Sequence, residues 1–307
     1  MALNYKPMPL HKPPRLKKGD RIGIVAPAGP VNAERLDRGL DALRALGYET
    51  IVGDAVLDRD RYFAGPCERR AADLNRFLER DDIAAILSAR GGYGSNYLTT
   101  RIDFGAMRRH PKFFGGYSDL TVLLALFYER SRVPVLHAPL VAGDFSRDGG
   151  VDLESWNAVT CGSLHSYSIP TTLREGNAEG TLLGGCLSLL ASSVGTPHDP
   201  NLDDAILFLE DLNEPAYKLD RMLRQLQLAG KLVGVKGIVF GTMHNCGEHV
   251  AQELAQMLRW FDAPIAFGLP SGHVSGAHQT LAFGLRVRLS CATSSATLQM
   301  LEPATHS

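Results

Sequence analysis

The sequence predicts an α/β protein with a parallel sheet in its first half and a strand-rich second half. Short apolar runs at 21–26, 49–52 and 83–88 alternate with segments whose leucines recur at helical spacing. Strands that alternate with helices in this way are typical of βαβ units, which build parallel sheets with right-handed crossovers. We therefore expect a parallel sheet from the opening of the chain onward.

A chain of 307 residues is long enough for two domains with separate cores. The hydrophobic periodicity weakens and small polar residues accumulate between 148 and 176, as in a crossover between domains. We predict an N-terminal α/β domain over 1–150, a linker over 151–178 and a C-terminal domain over 179–307.

The charge balance excludes some partners. Lys plus Arg number 32 and Asp plus Glu number 33, so neither nucleic acid nor an anionic membrane is expected to bind. The 5 cysteines are scattered and odd in number, which favours free thiols in a reducing compartment. The segment Met1–Asp20 lacks the apolar core of a signal peptide, and no later stretch is apolar enough to span a bilayer. The expected location is cytoplasmic.

Caps and breakers set the element boundaries. Asn32 is a helix N-cap, and Gly47 ends the helix that carries Leu36, Leu40 and Leu43 on one face. The same reasoning predicts further helices near 71–78, after Ser118, and at 187–194, 218–229 and 250–260, and further strands at 112–115, 133–136, 180–185, 205–209, 235–240, 265–269, 281–289 and 296–301.

The strand at 83–88 ends in the glycine-rich segment Ala89–Gly94. Open α/β sheets bind ligands beyond the carboxyl ends of their strands, where glycines let the backbone approach a ligand closely. The spacing matches neither a P-loop nor a dinucleotide fingerprint, so no nucleotide cofactor is predicted. A plain turn and a functional loop remain alternatives.

Ser118 follows a short apolar strand and the pair Gly115-Gly116, and an apolar helical pattern begins directly after it. A strand, a sharp turn and a helix lift a hydroxyl off the sheet and aim the first helical N–H groups at its target. We therefore interpret Ser118 as a nucleophile. Leu120 stands where the second glycine of G-x-S-x-G would be, and a helix N-cap is the alternative role for Ser118.

Two further residues offer acid–base chemistry at strand ends. Glu210 follows the apolar run 205–209, and His273 lies in a glycine-flanked loop between two predicted strands. A serine nucleophile needs a base and a group that orients the base. On local pattern alone a solvated carboxylate and a surface histidine are the alternatives.

The segment from His244 to His249 contains His-x-Cys-x-x-His, with Cys246 between the two histidines. These three side chains suit a transition metal, but no fourth ligand stands at a usual spacing. We predict no metal.

Taken together, these motifs resemble the serine LD-carboxypeptidases, also called murein tetrapeptide carboxypeptidases, a family that includes the microcin C self-immunity peptidases. The resemblance runs from about Lys18 to Leu289 and keeps the order of the family motifs. They are Ala26-Pro27-Ala28, Ala89-Arg90-Gly91-Gly92-Tyr93-Gly94, Gly116-Tyr117-Ser118-Asp119, Leu209-Glu210-Asp211 with Asn213-Glu214 and Arg221-Met222-Leu223, and Gly272-His273.

The resemblance implies a flavodoxin-like N-terminal domain, a strand-rich α/β C-terminal domain and an active site in the cleft between them. It implies Ser118 as nucleophile, His273 as general base and Glu210 as the group that orients the histidine. The oxyanion hole would use backbone N–H groups of Asp119, Gly91 and Gly92. Expected substrate-binding residues are Arg90, Tyr93 and Glu214.

The implied substrate is a muropeptide, from which the enzyme would release terminal D-alanine during peptidoglycan recycling, and the implied assembly is a homodimer. Two positions depart from the family pattern, Cys186 and Ala282, and both put substrate details in doubt. The loop from His273 to Thr280 is slightly long for the family, which makes His278 a second candidate base. The rival functions are an immunity-type peptidase that cleaves a peptidyl-nucleotide amide and a non-catalytic muropeptide-binding protein.

Overall fold

The computed structural model describes residues 9–306. The predicted absence of a signal peptide in Met1–Asp20 therefore concerns a segment whose first eight residues lie outside the described part. No helix within residues 9–306 has the length and apolar character needed to cross a membrane.

The strands are, in chain order, β1 (Arg21–Val25), β2 (Glu49–Val52), β3 (Ile83–Ser88), β4 (Phe113–Gly116), β5 (Val135–His137), β6 (Ser166–Ile169), β7 (Thr171–Arg174), β8 (Gly176–Cys186), β9 (Ala205–Glu210), β10 (Gly237–Phe240), β11 (Ile265–Phe267), β12 (Leu281–Phe283), β13 (Arg286–Cys291) and β14 (Ala296–Met300). The helices are α1 (Ala33–Ala45), α2 (Cys67–Glu79), α3 (Phe104–Arg109), α4 (Thr121–Ser131), α5 (Leu153–Cys161), α6 (Leu187–Ser193), α7 (Ala216–Leu228) and α8 (Val250–Met257).

The first sheet has the strand order β2-β1-β3-β4-β5-β12. Strands β1 to β5 are parallel, and β12 pairs antiparallel with β5. This is the flavodoxin-like order with one added edge strand, as predicted. Ligands of such sheets bind where the strand order reverses, beyond the carboxyl ends of β1 and β3.

The second sheet has the order β6-β14-β13-β8-β9-β10-β11-β7. Its centre, β8 to β11, is parallel, and the outer strands pair antiparallel. The predicted strand-rich α/β C-terminal domain is therefore confirmed. One apolar core extends from the first sheet to Ile206, Phe208 and Val239 of the second, so the two halves of the chain pack as one body.

The structure shows helices and strands in a segment for which the sequence analysis named none. The range 151–178, predicted as a linker, contains α5, β6, β7 and the start of β8. Its edge strands lack a long apolar run because only alternate residues of β6, Tyr167 and Ile169, are buried. The domain boundaries themselves stay a prediction.

The structure corrects the sequence analysis at 281–289, predicted as one strand. It forms two strands in different sheets, because the chain turns at Gly284 with a φ of +95°. A Cβ at Gly284 would lie 2.5 Å from the Tyr128 ring, so both the turn and the close packing need glycine there. As a result the C-terminal half supplies β12 to the N-terminal sheet.

Candidate active site

Ser118 lies at the turn between β4 and α4, as predicted. Its φ is +65°, a left-handed conformation that is unfavourable for a residue with a side chain. A short 3-10 turn, Ser118–Leu120, follows and continues into α4, with the hydroxyl of Thr121 donating to the Ser118 carbonyl at 2.8 Å. The turn presents a partly exposed Ser118 at the carboxyl edge of the sheet.

The loop after β3 packs directly against this turn. A Cβ on Gly91 would lie 2.9 Å from the Ser118 Cβ and 3.1 Å from its Oγ, so only glycine lets the backbone come so close. The Asp119 carboxylate accepts the Ser95 N–H at 2.7 Å, and the Arg70 guanidinium donates to the Gly94 carbonyl at 2.9 Å. The glycine loop is thus fixed on both sides.

Asp119 itself is buried. Burial raises the pKa of its carboxyl, and the hydrogen bonds from Ser95 and the charge of Arg70 oppose that rise. The Asp119 side chain therefore holds the neighbouring glycine loop in place, while the Asp119 backbone is part of the helical turn that follows Ser118.

Glu210 and His273 meet at the second sheet. The Glu210 Oε2 lies 2.7 Å from His273 Nδ1 and accepts the His273 backbone N–H at 3.0 Å. Glu210 is 1% exposed and ends β9. A Cβ on Gly272, where φ is +89°, would lie 2.5 Å from the Glu210 Oε2, and a Cβ on Gly241 would lie 2.8 Å from the Glu210 Cβ. These two glycines make room for the buried carboxylate.

Two opposing effects set the charge of His273. Burial lowers its pKa, but the hydrogen bond and negative charge of Glu210 outweigh burial, so the pKa is raised above its usual value. Because Nδ1 faces the carboxylate, Nε2 is the nitrogen left for a substrate or a serine.

Ser118 and His273 line one cleft of about 640 Å³, together with Arg90, Gly91 and Gly92. Within residues 9–306 the Ser118 hydroxyl and the His273 ring form no hydrogen bond with each other. Such bonds are often loose without substrate and tighten in the complex. The structure therefore brings Ser118, His273 and Glu210 to one site, with Glu210 behind the histidine.

Of the three predicted substrate-binding residues, Arg90 lines the cleft, whereas Tyr93 and Glu214 do not. Arg90 lines the cleft and donates to the Pro30 carbonyl at 2.8 Å. Tyr93 stacks on Phe63 with ring centroids 5.9 Å apart and does not line the cleft. Glu214 also lies outside the lining and forms an ion pair with Lys218 at 3.3 Å. Substrate contacts of Tyr93 and Glu214 stay predictions.

His278, the second candidate base, is buried, and within residues 9–306 it forms no hydrogen bond with Glu210. Its ring stacks on His137 with centroids 5.6 Å apart and lies tilted against Tyr117 at 5.0 Å. Neither ring nitrogen has a hydrogen-bond partner in the described part of the chain. Burial lowers its pKa. The Glu210 carboxylate contacts His273 instead, at 2.7 Å, so His273 is the better placed candidate for the base.

His244, Cys246 and His249 do not form a metal site. No group of three His, Cys, Asp or Glu side chains among residues 9–306 is arranged to hold a metal ion. The Cys246 thiol is buried and donates to the His244 carbonyl at 3.5 Å.

Of the two departures from the family pattern, Cys186 lies beside Glu210. Cys186 pairs in register with Glu210 across β8 and β9, and its N–H donates to the Thr121 hydroxyl at 3.0 Å. Burial raises the pKa of the Cys186 thiol well above its usual value, so it is held as a neutral group. Ala282 is the central residue of β12, opposite Leu136 of β5.

Sequence reasoning missed several residues of the cleft. Asn32 and Arg35, at the start of α1, line it beside Ser118, as do Leu140 and Leu212. The available signal for Asn32 and Arg35 was their place just after β1, because loops at this strand edge form the ligand site of such sheets.

A serine hydroxyl, an imidazole and a buried carboxylate around one cleft are the groups of a serine hydrolase. Residues 22–138 match the model of the LD-carboxypeptidase N-terminal domain, and residues 179–289 match that of the LD-carboxypeptidase C-terminal domain. The chain therefore belongs to the LD-carboxypeptidase family, and it is a serine-type LD-carboxypeptidase.

Several known proteins are similar to it. A probable murein peptide carboxypeptidase of Bacillus subtilis is 38% identical over 80% of this chain and 77% of that protein. The crystal structure of a muramoyltetrapeptide carboxypeptidase from Oxalobacter formigenes has a TM-score of 0.84 at 28% identity and covers 92% of this chain and 99% of its own. An MccF-like protein of Bacillus anthracis has a TM-score of 0.86 at 26% identity, with 94% and 99% covered.

Proposed function

We propose that this enzyme releases the terminal D-alanine of murein tetrapeptides by cutting the bond after the L-centre of meso-diaminopimelate. The observation that carries the proposal is the Glu210–His273 pair, which shares one cleft with Ser118. The similarity of the chain to a probable murein peptide carboxypeptidase of Bacillus subtilis supports the substrate class.

In this proposal Ser118 Oγ attacks the scissile carbonyl carbon while His273 Nε2 takes the hydroxyl proton. The oxyanion of the tetrahedral intermediate accepts hydrogen bonds from the backbone N–H groups of Asp119 and of the loop that holds Gly91 and Gly92. The C–N bond then breaks, and His273 returns the proton to the leaving amine of D-alanine. Water, deprotonated by the same histidine, hydrolyses the acyl ester and regenerates Ser118.

Glu210 is a positioning group in this scheme. Its Oε2 holds Nδ1 of His273 and so fixes the tautomer whose Nε2 accepts a proton. Its buried charge also stabilises the imidazolium that forms when Ser118 attacks.

Arg90 is proposed to bind the carboxylate of the terminal D-alanine, which a carboxypeptidase must recognise. The residue adjoins the glycine loop and lines the cleft. Its side chain donates to the Pro30 carbonyl, and no acidic side chain in the described part of the chain pairs with its charge.

The experiment that tests the function is release of D-alanine from a purified murein tetrapeptide, followed by mass spectrometry. Ser118→Ala should abolish release while leaving the thermal unfolding midpoint unchanged, and Ser192→Ala, on an exposed helix position, is the matched control. Substantial residual release by Ser118→Ala would contradict the nucleophile assignment. Unchanged activity after chelator treatment is expected for a reaction that needs no metal.

The second candidate function is an immunity-type peptidase that cleaves a peptidyl-nucleotide amide. The structural similarity to an MccF-like protein favours it, and the cleft chemistry would be the same. Parallel assays of a tetrapeptide and an aminoacyl-nucleotide amide distinguish the two by the ratio of kcat/KM. A muropeptide-binding protein without activity would fail to react with a fluorophosphonate probe at Ser118.

We also infer a cytoplasmic homodimer that acts in peptidoglycan recycling. The free state of all 5 cysteines is consistent with a reducing compartment. Light scattering of the purified protein tests the dimer, and fractionation of cells that produce it tests the location.

A further inference from the structure

The charges that line the catalytic cleft are all basic. Apart from His273, its charged lining residues are Arg35 and Arg90, and no carboxylate lies among the residues that line it. A cleft with this lining attracts anions and disfavours cationic groups at the same positions. Two separate guanidinium groups suggest two anionic groups on one ligand.

Arg35 is free to bind a ligand. Its backbone N–H donates to the Asn32 side chain at 2.9 Å, which caps α1, but its guanidinium has no hydrogen bond or ion pair within residues 9–306. Further along the same helix, Arg44 is paired with Asp41 at 2.9 Å. A guanidinium left unpaired on the wall of a catalytic cleft offers a planar set of donors that matches a carboxylate.

Arg35 and Arg90 lie in different parts of the cleft. The cleft continues past Arg35 into a further space of about 200 Å³, which Tyr117 and His273 also line. Arg147 and Asp144 also line that space and pair with each other at 2.8 Å, which leaves Arg35 as its unpaired guanidinium among the described residues. Arg90 lines the Ser118 side of the cleft only.

The two sides of the scissile bond need different amounts of space. The leaving group is a single amino acid, whose carboxylate Arg90 binds in the proposed function. The acyl part is the remainder of the peptide, so it must extend away from Arg90, toward the space that Arg90 does not line. Arg35 lies where this extension joins the catalytic pair. It is therefore placed to contact the residue that supplies the scissile carbonyl.

We propose that Arg35 binds a carboxylate on the side chain of the residue that supplies the scissile carbonyl, apart from the terminal carboxylate at Arg90. This inference rests on the proposed function, which already places diaminopimelate at this position, and adds the residue of this chain that recognises the side-chain carboxylate. Arg35 is a specificity residue in this scheme and takes no part in proton transfer.

The test compares two tetrapeptides that differ only in this carboxylate, one with meso-diaminopimelate and one with L-lysine at the third position. The wild type should prefer the diaminopimelate peptide by about 10- to 100-fold in kcat/KM, mainly through KM, as expected for a charge-assisted pair in a partly open cleft. Arg35→Gln should bring the ratio of the two kcat/KM values close to one, and Arg35→Lys should keep part of the preference.

The matched control is Arg38→Gln. Arg38 lies on the same helix, carries the same charge and contacts the Ser146 carbonyl at 3.3 Å outside the cleft lining. It should keep the wild-type preference. Equal losses on both peptides in Arg35→Gln would overturn the inference, because they would assign Arg35 to the terminal carboxylate or to the fold. No change on either peptide would overturn it as well.

Binding to Ser118→Ala, measured by calorimetry, separates this inference from the proposed function. If the wild type cleaves neither peptide but Ser118→Ala binds the diaminopimelate peptide about 10-fold or more tighter than the lysine peptide, the proposed reaction is wrong and the carboxylate site stands. Equal binding of the two peptides refutes the carboxylate site, whatever the turnover.

Discussion

Replacing Glu210 by Gln tests the electrostatic role of the buried carboxylate at nearly constant shape. The carbonyl oxygen of Gln can still accept both the His273 backbone N–H and Nδ1–H, which Glu210 Oε2 accepts at 3.0 and 2.7 Å. The substitution removes the negative charge beside the imidazolium that forms in the transition state. With charge centres about 4 Å apart and an effective dielectric constant of about 20, that attraction is about 4 kcal/mol.

An energy of about 4 kcal/mol corresponds to a loss of about 10³-fold in kcat. The pH profile should change as well. His273 acts as a base only when neutral, so activity falls as the pH drops through its pKa, which Glu210 holds above the usual value of about 6.5. Without that charge, burial alone lowers the pKa, and the acid limb of kcat/KM should move to lower pH.

The assay is D-alanine release between about pH 5 and 9, with thermal unfolding as the check on the fold. Glu129→Gln is the control, since Glu129 is also a partly buried carboxylate and does not line the cleft. Its carboxylate accepts a hydrogen bond from the Asn201 N–H at 2.8 Å. A loss below about 10-fold in Glu210→Gln, or an acid limb that stays in place, would refute the electrostatic role.

Gly91→Ala should lower kcat by about 100-fold, because its Cβ would lie 2.9 Å from the Ser118 Cβ and such overpacking costs about 1–3 kcal/mol at the nucleophile. Gly276→Ala, which meets no atom within 4 Å, should retain activity in the same D-alanine assay, and full activity of Gly91→Ala would contradict the contact. Burial lowers the pKa of Lys112 to about 8, so the folded protein binds this proton less tightly than the unfolded chain, and stability should rise as the pH increases from about 8 to 10. Lys112→Met should lose this rise in urea unfolding at the two pH values, and an unaltered pH dependence would show that another group causes it.

Local sequence patterns were sufficient to predict the part of the site that lies on the first sheet. The turn at Ser118 and the loop at Gly91 follow from short apolar runs that end in glycine, and the structure confirms both positions at one sheet edge. The contact between Glu210 and His273 joins residues 63 positions apart in the chain, which no local pattern encodes. Only the resemblance to a family had paired them.

The remaining differences also have physical causes. Arg35 was overlooked because an exposed arginine on an amphipathic helix has the same pattern as any solvated face, and only the fold shows that this face borders the cleft. The pairing of β12 with β5 was not predictable either, since a strand of three residues carries no mark of the sheet that it joins. The short edge strand β7 was not predicted from the sequence for the same reason.

The extra strand explains how two domains hold one catalytic geometry. The loop that carries His273 begins after β11 of the second sheet and ends at β12 of the first, so both sheets fix its ends. Between them, Ser271 Oγ lies 2.9 Å from His137 Nδ1 at the end of β5, and the Thr280 N–H donates to the Ser155 hydroxyl of α5 at 3.0 Å. Because the His273 loop is tied in this way to the sheet that carries Ser118, a hinge motion that separated the two domains would have to break β12 from β5. Tightening of the Ser118–His273 contact on substrate binding is therefore expected to come from side-chain rotation and not from domain closure.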